Sequence, residues 1–181
     1  MRSLIATLAA VGAVFAALTA ASSAAAASGS GSASCLRGNW VASQGETNRV
    51  LRALIPTGGF EATGRLYMIF RDGAFQYGSR QLVLEGTFGE ITMIARGRFY
   101  TLAPYTARAG VFTTRAGESH IEWGRMTGSK AGRSYTVDGP PPSTTSIPGG
   151  PTPFQCRGST LKVRLPRIAS TGWITLQRGT P

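Results

Sequence analysis

Through the middle of the chain the apolar residues recur mostly at every second position, the period of a strand with two unlike faces. Over 63–71 the run sets Leu66, Met68 and Phe70 against Arg65, Tyr67 and Ile69. Asp72-Gly73 then turns the chain back into 74–78, where Phe75 and Tyr77 keep the same spacing. An Asp-Gly pair between two alternating runs is the strongest short-range hairpin signal. Further strands are expected at 81–85, 91–102, 108–115, 119–127, 133–137, 154–165 and 172–178, parted by Gly, Pro or Ser clusters. Many short strands with little helix predict an all-β fold, an antiparallel barrel or a sandwich.

One segment departs from that period. Ser43-Gln44-Gly45-Glu46 has the form of a capping box, in which the serine hydroxyl and the glutamate satisfy backbone N–H groups at the first turn of a helix. Val50, Leu51 and Leu54 follow at helical spacing, and Pro56, Gly58 and Gly59 end the run. The stripe either lids an open barrel end or packs outside the sheet. A second departure is the Pro-rich stretch 139–153, which lacks the donors and the propensity of a central strand and is expected to be a long loop. It either gates a pocket mouth or forms a surface excursion tied down by Cys156.

The amino-terminal pattern sets the compartment. Arg2, an apolar run from Leu4 to about Leu18 and the small residues Ala25-Ala26-Ala27 predict a secretory signal over 1–27, a disordered linker over 28–34 and one domain over 35–181. The strongly apolar part is shorter than the ~20 residues of a membrane span. A lipid-anchored reading fits less well, because Ser32-Ala33-Ser34-Cys35 has no leucine three places before the cysteine. The expected location is secreted and extracellular, or periplasmic or envelope-associated. In an oxidising compartment the two cysteines, Cys35 and Cys156, are most simply one disulfide, and the alternative is two free thiols. A loop that long stabilises by about 4 to 5 kcal/mol in the chain-entropy model.

Charge adds a second class of partner. The formal balance is +11, with 19 Lys and Arg against 8 Asp and Glu, and such an excess attracts anionic polymers or head groups. The cations are nearly all arginine and are dispersed, at Arg65, Arg71, Arg80, Arg96, Arg98, Arg108, Arg115, Arg125 and Arg133. They fit solvated outward positions or an electropositive face equally well.

Chemistry is harder to place. His120 is the single histidine, and no nucleophile elbow surrounds it. Glu118 and Glu122 would lie ~13 Å apart on one strand face, too wide to act as a pair on one glycosidic bond. Two cysteines and one histidine are too few soft ligands for a metal site, and no Gly-rich phosphate loop opens a helix. No catalytic residue, metal or cofactor is expected.

The short strand with Gly38-Asn39-Trp40, the helix with Leu51-Arg52-Ala53-Leu54, the meander and the last strand Trp173-Ile174-Thr175-Leu176-Gln177-Arg178 together resemble the calycin superfamily of lipocalins and fatty-acid-binding proteins. The stretch Phe154-Gln155-Cys156-Arg157-Gly158-Ser159-Thr160-Leu161 is similar to the late strand of bacterial secreted lipocalin-like domains. The lipocalin Thr-Asp-Tyr signature is absent from the chain. The resemblance implies an antiparallel up-and-down barrel of about 8–10 strands with one short helix after the first strand. It implies that Trp40 plugs the closed end and that Arg178 lies across it.

Closing alternating strands turns one face into a lined cavity. The expected function is therefore to hold a small hydrophobic or amphipathic molecule, without catalysis, in a monomeric barrel. Candidate lining residues are Tyr67, Ile69, Phe75, Tyr77, Phe99, Phe112 and Trp123, and a one-residue slip of register would exchange Tyr67 and Ile69 for Met68 and Phe70. The alternative is a filled barrel whose basic surface docks on an anionic cell-envelope polymer or a protein partner, the latter through an inhibitor-type loop. Specific nucleic-acid binding is not expected.

Overall fold

Trp40 lies in the first strand, β1 (Gly38–Ala42), and is fully buried. Its indole Nε1 donates to Leu36 O at 2.7 Å, which ties the strand to a single helical turn just before it, α1 (Ala33–Leu36). The computed structural model describes residues 32–54, 59–88, 90–165 and 172–181. The segment 1–27 expected as a secretory signal and most of the expected linker, together with Pro56 and Gly58 after the helix, lie outside the described residues.

After β1 come α2 (Gln44–Leu54), β2 (Gly59–Thr63), β3 (Tyr67–Arg71), β4 (Ala74–Phe88) and β5 (Ile91–Arg108). The chain continues through β6 (Val111–Thr114), β7 (Gly117–Trp123), β8 (Met126–Lys130), β9 (Arg133–Val137) and β10 (Ser143–Ile147), and ends with β11 (Gly150–Arg157), β12 (Thr160–Val163) and β13 (Ile174–Arg178). Each strand of the circuit β1–β3–β4–β5–β6–β11–β12–β13 pairs antiparallel with the next, and β13 pairs back onto β1. The result is a closed eight-stranded up-and-down barrel, the architecture that the resemblance implies. Closure removes the free edges of these strands.

The long strands run past the barrel. One side of β5 is paired in turn by β8 at 92–94, β7 at 97–102 and β6 at 105–108, so these three short strands act as one interrupted partner. In the same way β9, β10 and β11 follow one another along β8, β7 and β6. With β2 on β4, this makes an open sheet beyond the barrel rim.

Several expectations change: 74–78 and 81–85 join in β4, and 119–127 is divided between β7 and β8. The segment 154–165 is a hairpin, because Gly158 takes φ +57° at the turn between β11 and β12. The stretch 139–153, expected as a loop, contains β10 and the start of β11. Prolines are tolerated there because of where their nitrogens face. Phe154 N–H donates to Gly110 O on the β6 side, whereas Pro153 turns its carbonyl to the opposite edge, where Arg164 N–H donates to it. Pro151 and Pro153 thus sit at the alternate positions whose missing donor is not needed by β6.

The core fills the end where α1 lies. Phe70, Phe75, Tyr105 and Phe112 meet there with ring centroids 4.9–5.3 Å apart, tilted or edge-on as aromatic quadrupoles prefer. Phe154 and Leu161 are fully buried beside them. Cys35 and Cys156 form a disulfide that fastens α1 to β11. The Arg178 guanidinium lies 4.5 Å from the Trp40 ring centroid and donates to Arg37 O and Cys35 O. Gly38 is required at that point, since a Cβ on it would sit 2.6 Å from Arg178 Nη1 and its φ is +122°. Trp40→Ala is expected to destabilise the fold by about 3 to 5 kcal/mol, a large-to-small change at a fully enclosed site. Urea midpoints shifted by the equivalent of less than about 1 kcal/mol would remove Trp40 from that role.

Candidate ligand site in the barrel interior

The other end of the barrel is closed by a helix. Ser43 Oγ accepts from Glu46 N–H at 3.2 Å, so half of the capping box forms. The Glu46 carboxylate is held by Arg49, three residues on, instead of reaching back to residue 43. Arg49 also donates to Trp173 O at 2.7 Å. Thr47 is fully buried, and its hydroxyl accepts from Leu66 N–H. These two contacts and the buried Val50 and Leu51 seat α2 across the barrel rim, so of the two sequence-based alternatives the helix takes the position of a lid.

Beneath α2 lies an apolar void of about 30 Å³, bordered by Val50, Leu66, Met68, Tyr77, Phe99 and Leu176 among others. A void of that size admits a water molecule. Further along the interior wall the polarity changes. Ser79 on β4 and Thr101 on β5, together with Ser119 on β7, which extends the same face of β5 past the barrel circuit, are 0–1 % exposed, and none of their hydroxyls has a hydrogen-bond partner. Thr101 lies directly opposite both Tyr77 and Ser119 in the ladder. A fourth unpartnered group, Tyr135 Oη, sits on β9, separated from β5 by β8. Each orphaned buried hydroxyl costs about 1–3 kcal/mol, and three on one patch of wall are not explained by packing.

Tyr77 shares this patch. Burial pushes its phenol up to about 12, and the nearby Thr101 hydroxyl offsets part of that shift without reaching good hydrogen-bond geometry. Burial also raises the phenols of Tyr67 and Tyr105, with Arg80 and Arg37 respectively pulling them back.

The register decides where each sequence candidate goes. Met68 and Phe70 face the interior core, whereas Tyr67 and Ile69 join Val41 in a separate cluster on the other face of β3. There Gln76 donates to the Tyr67 hydroxyl, and the Arg80 guanidinium lies 5.9 Å from its ring. Phe75 and Phe112 belong to the aromatic packing at the α1 end. Tyr77 and Phe99 border the void, and Tyr67 also contributes to its lining. Trp123 lies opposite Gly97, where a Cβ would come within 2.6 Å of its ring. Ser79, Thr101 and Ser119 escaped sequence reasoning, although each stands two places from an apolar inward residue: Tyr77, Phe99 and Ile121.

His120 is on the outer surface, stacked on Tyr100 at 4.7 Å, with Thr144 at 3.0 Å from Nδ1 and Glu118 at 3.3 Å from Nε2. Among the described residues no group of three His, Cys, Asp or Glu side chains could hold a metal ion, and no helix is long and apolar enough to cross a membrane. No family model matches the chain, and neither a curated protein nor a solved structure shows significant similarity to it.

The raised Tyr77 pKa has a definite sign. The neutral phenol is favoured in the folded state, so its contribution is fully present below pH 10 and is lost as pH rises through about 12. A shift of that size corresponds to about 2 to 3 kcal/mol. Wild type is expected to lose stability steeply over that window, and Tyr77→Phe to lose less. Equal pH slopes for the two proteins in denaturant titrations would show that Tyr77 ionises without opening the barrel.

Proposed function

We propose that this protein is a secreted, non-catalytic binding protein of lipocalin-like type that takes the polar end of a small amphipathic molecule into the barrel under α2. The observation that carries the reading is the patch of three buried, unpartnered hydroxyls on an otherwise apolar wall. An apolar wall accepts an alkyl or ring portion on area alone, at about 25 cal/mol per Å². A few placed polar groups then fix orientation, as in most small-ligand sites. Ser79, Thr101 and Ser119 supply donors and acceptors without charge, which suits a hydroxyl, carbonyl or protonated carboxyl better than an ion. An ion would lose its hydration with no countercharge inside.

Occupancy involves movement at the lid. Small-ligand pockets are usually ~300 Å³ or more, so the 30 Å³ void describes the closed form, and entry displaces the Val50 and Leu66 side chains along with α2. The disulfide and the Trp40 plug are at the opposite end, which leaves the lid end free to move without loosening them.

The variant Thr101→Val with Ser119→Ala tests this reading through two signals of opposite sign. Replacing orphaned hydroxyls by apolar groups of similar shape should raise the urea midpoint, by about 1 kcal/mol or more. The same change should weaken binding of an uncharged amphiphilic probe, a fluorescent long-chain alcohol, several-fold. Native mass spectrometry of protein secreted by its own host should show one bound small molecule. A wild type that carries no bound mass and binds no probe would overturn the proposal, as would a variant that binds the probe as tightly as wild type does.

A further inference from the structure

The strands that close the barrel next to the disulfide carry charge of one sign. No Asp or Glu follows Asp138 in the sequence, so β10 to β13 hold no acid at all. On the outer face of β11 and β12, Gln155 lies opposite Lys162 and Arg157 opposite Thr160. Arg157, Lys162 and Arg164 are exposed, and none of the ion pairs among the described residues involves them. Gln155, Cys156, Arg157, Thr160 and Lys162 line a surface groove of about 450 Å³. Its floor is held by the Cys35–Cys156 disulfide, and Thr160 is oriented by its bond to Gln177 Oε1 at 3.2 Å.

The spacing of the cations is regular. Arg157, the Thr160 partner, stands two residues before Lys162 along the ladder, and Arg164 two residues after it. The step is therefore roughly 7 Å along the strand. Arg164 N–H continues the ladder to Pro153 O, which keeps it in line with β12. Two guanidinium groups with an ammonium between them at such spacing suit oxyanions that offer several acceptor oxygens each. None of the groove residues is aromatic, so the face offers no platform on which nucleic-acid bases would stack.

We propose that this groove is a docking site for a phosphodiester polymer without bases, a chain of alcohol units joined by phosphates. Consecutive phosphates sit on Arg157, Lys162 and Arg164, and Gln155 and Thr160 hydrogen-bond between them. The site is outside the barrel and is independent of the interior ligand.

The test uses the full secreted protein and a poly(glycerol phosphate) chain as the probe, titrated at several salt concentrations. Two triple variants carry the same loss of charge: Arg157→Gln/Lys162→Gln/Arg164→Gln along the groove and the strand that continues it, and Arg71→Gln/Arg96→Gln/Arg133→Gln elsewhere. The groove variant should lose at least tenfold in affinity, and its slope of log K against log salt should become shallower by about two, as expected for three lost phosphate contacts. The other variant should stay within threefold of wild type. Single-stranded DNA and polygalacturonate serve as competitors and should displace the probe less well at equal charge. Equal losses in both variants would overturn the site in favour of a diffuse charge effect, and no binding by wild type, or better displacement by DNA or by the carboxylate polymer, would overturn its chemistry. All three proteins are compared after thermal unfolding shows the same midpoint, and Arg157→Lys/Arg164→Lys, which keeps the charge and loses the planar fork, should bind with an affinity between those of the groove variant and wild type.

Discussion

The barrel depends on one enclosed indole. Trp40 fills the centre of the α1 end, hydrogen-bonds Leu36 O below it and carries Arg178 on its face. That arrangement joins residues far apart in the chain, because Arg178 belongs to the last strand and its guanidinium reaches the carbonyls of Cys35 and Arg37. The cation–π contact alone is modest, of the order of 1 kcal/mol where part of the guanidinium stays wet. Its structural effect is larger, since it fixes β13 against β1 and so closes the circuit. The disulfide adds a second tie at the same end. Gly38 is the complementary requirement, as any side chain there would occupy the place of the guanidinium.

With one end so fastened, the other can differ in character. The α1 end is dry, aromatic and interlocked. The α2 end is held by two backbone contacts, through Thr47 and Arg49, and by Val50 and Leu51. The hydroxyls of Ser79 and Thr101, with Ser119 on the adjoining β7, lie beside Tyr77, whose ring stacks on Phe75 at the edge of the aromatic packing. A protein optimised only for stability would place apolar groups at those three positions, and departures from that rule are expected where binding is the task.

Much of the frame was legible in the chain because its signals are local. The Asp72-Gly73 turn, the alternation around it and the α2 boundaries needed only neighbours in sequence. The first and last strands were legible through Gly38, Trp40 and Arg178, which act together. The face of each strand was not, because a one-residue slip exchanges Tyr67 with Met68, and only pairing with β1 and β4 fixes it. The Pro-rich stretch misled for a related reason. Proline excludes a strand only where its nitrogen must donate, and that depends on which edge Pro151 and Pro153 turn toward β6. The hydroxyl patch combines both difficulties, since serine and threonine in a strand are unremarkable until three of them face inward from adjacent strands.

The proposed function requires a barrel fastened at the Trp40 end and able to open at α2. Native-state amide hydrogen exchange of the oxidised protein measures that difference directly. The slowest amides should lie in β1, β12, β13 and the Phe70–Phe112 region, exchanging only through global unfolding, while α2 exchanges through a smaller local opening that an added amphiphile suppresses. Protection in α2 equal to that of β1 and β13, unchanged by any amphiphile, would contradict the account.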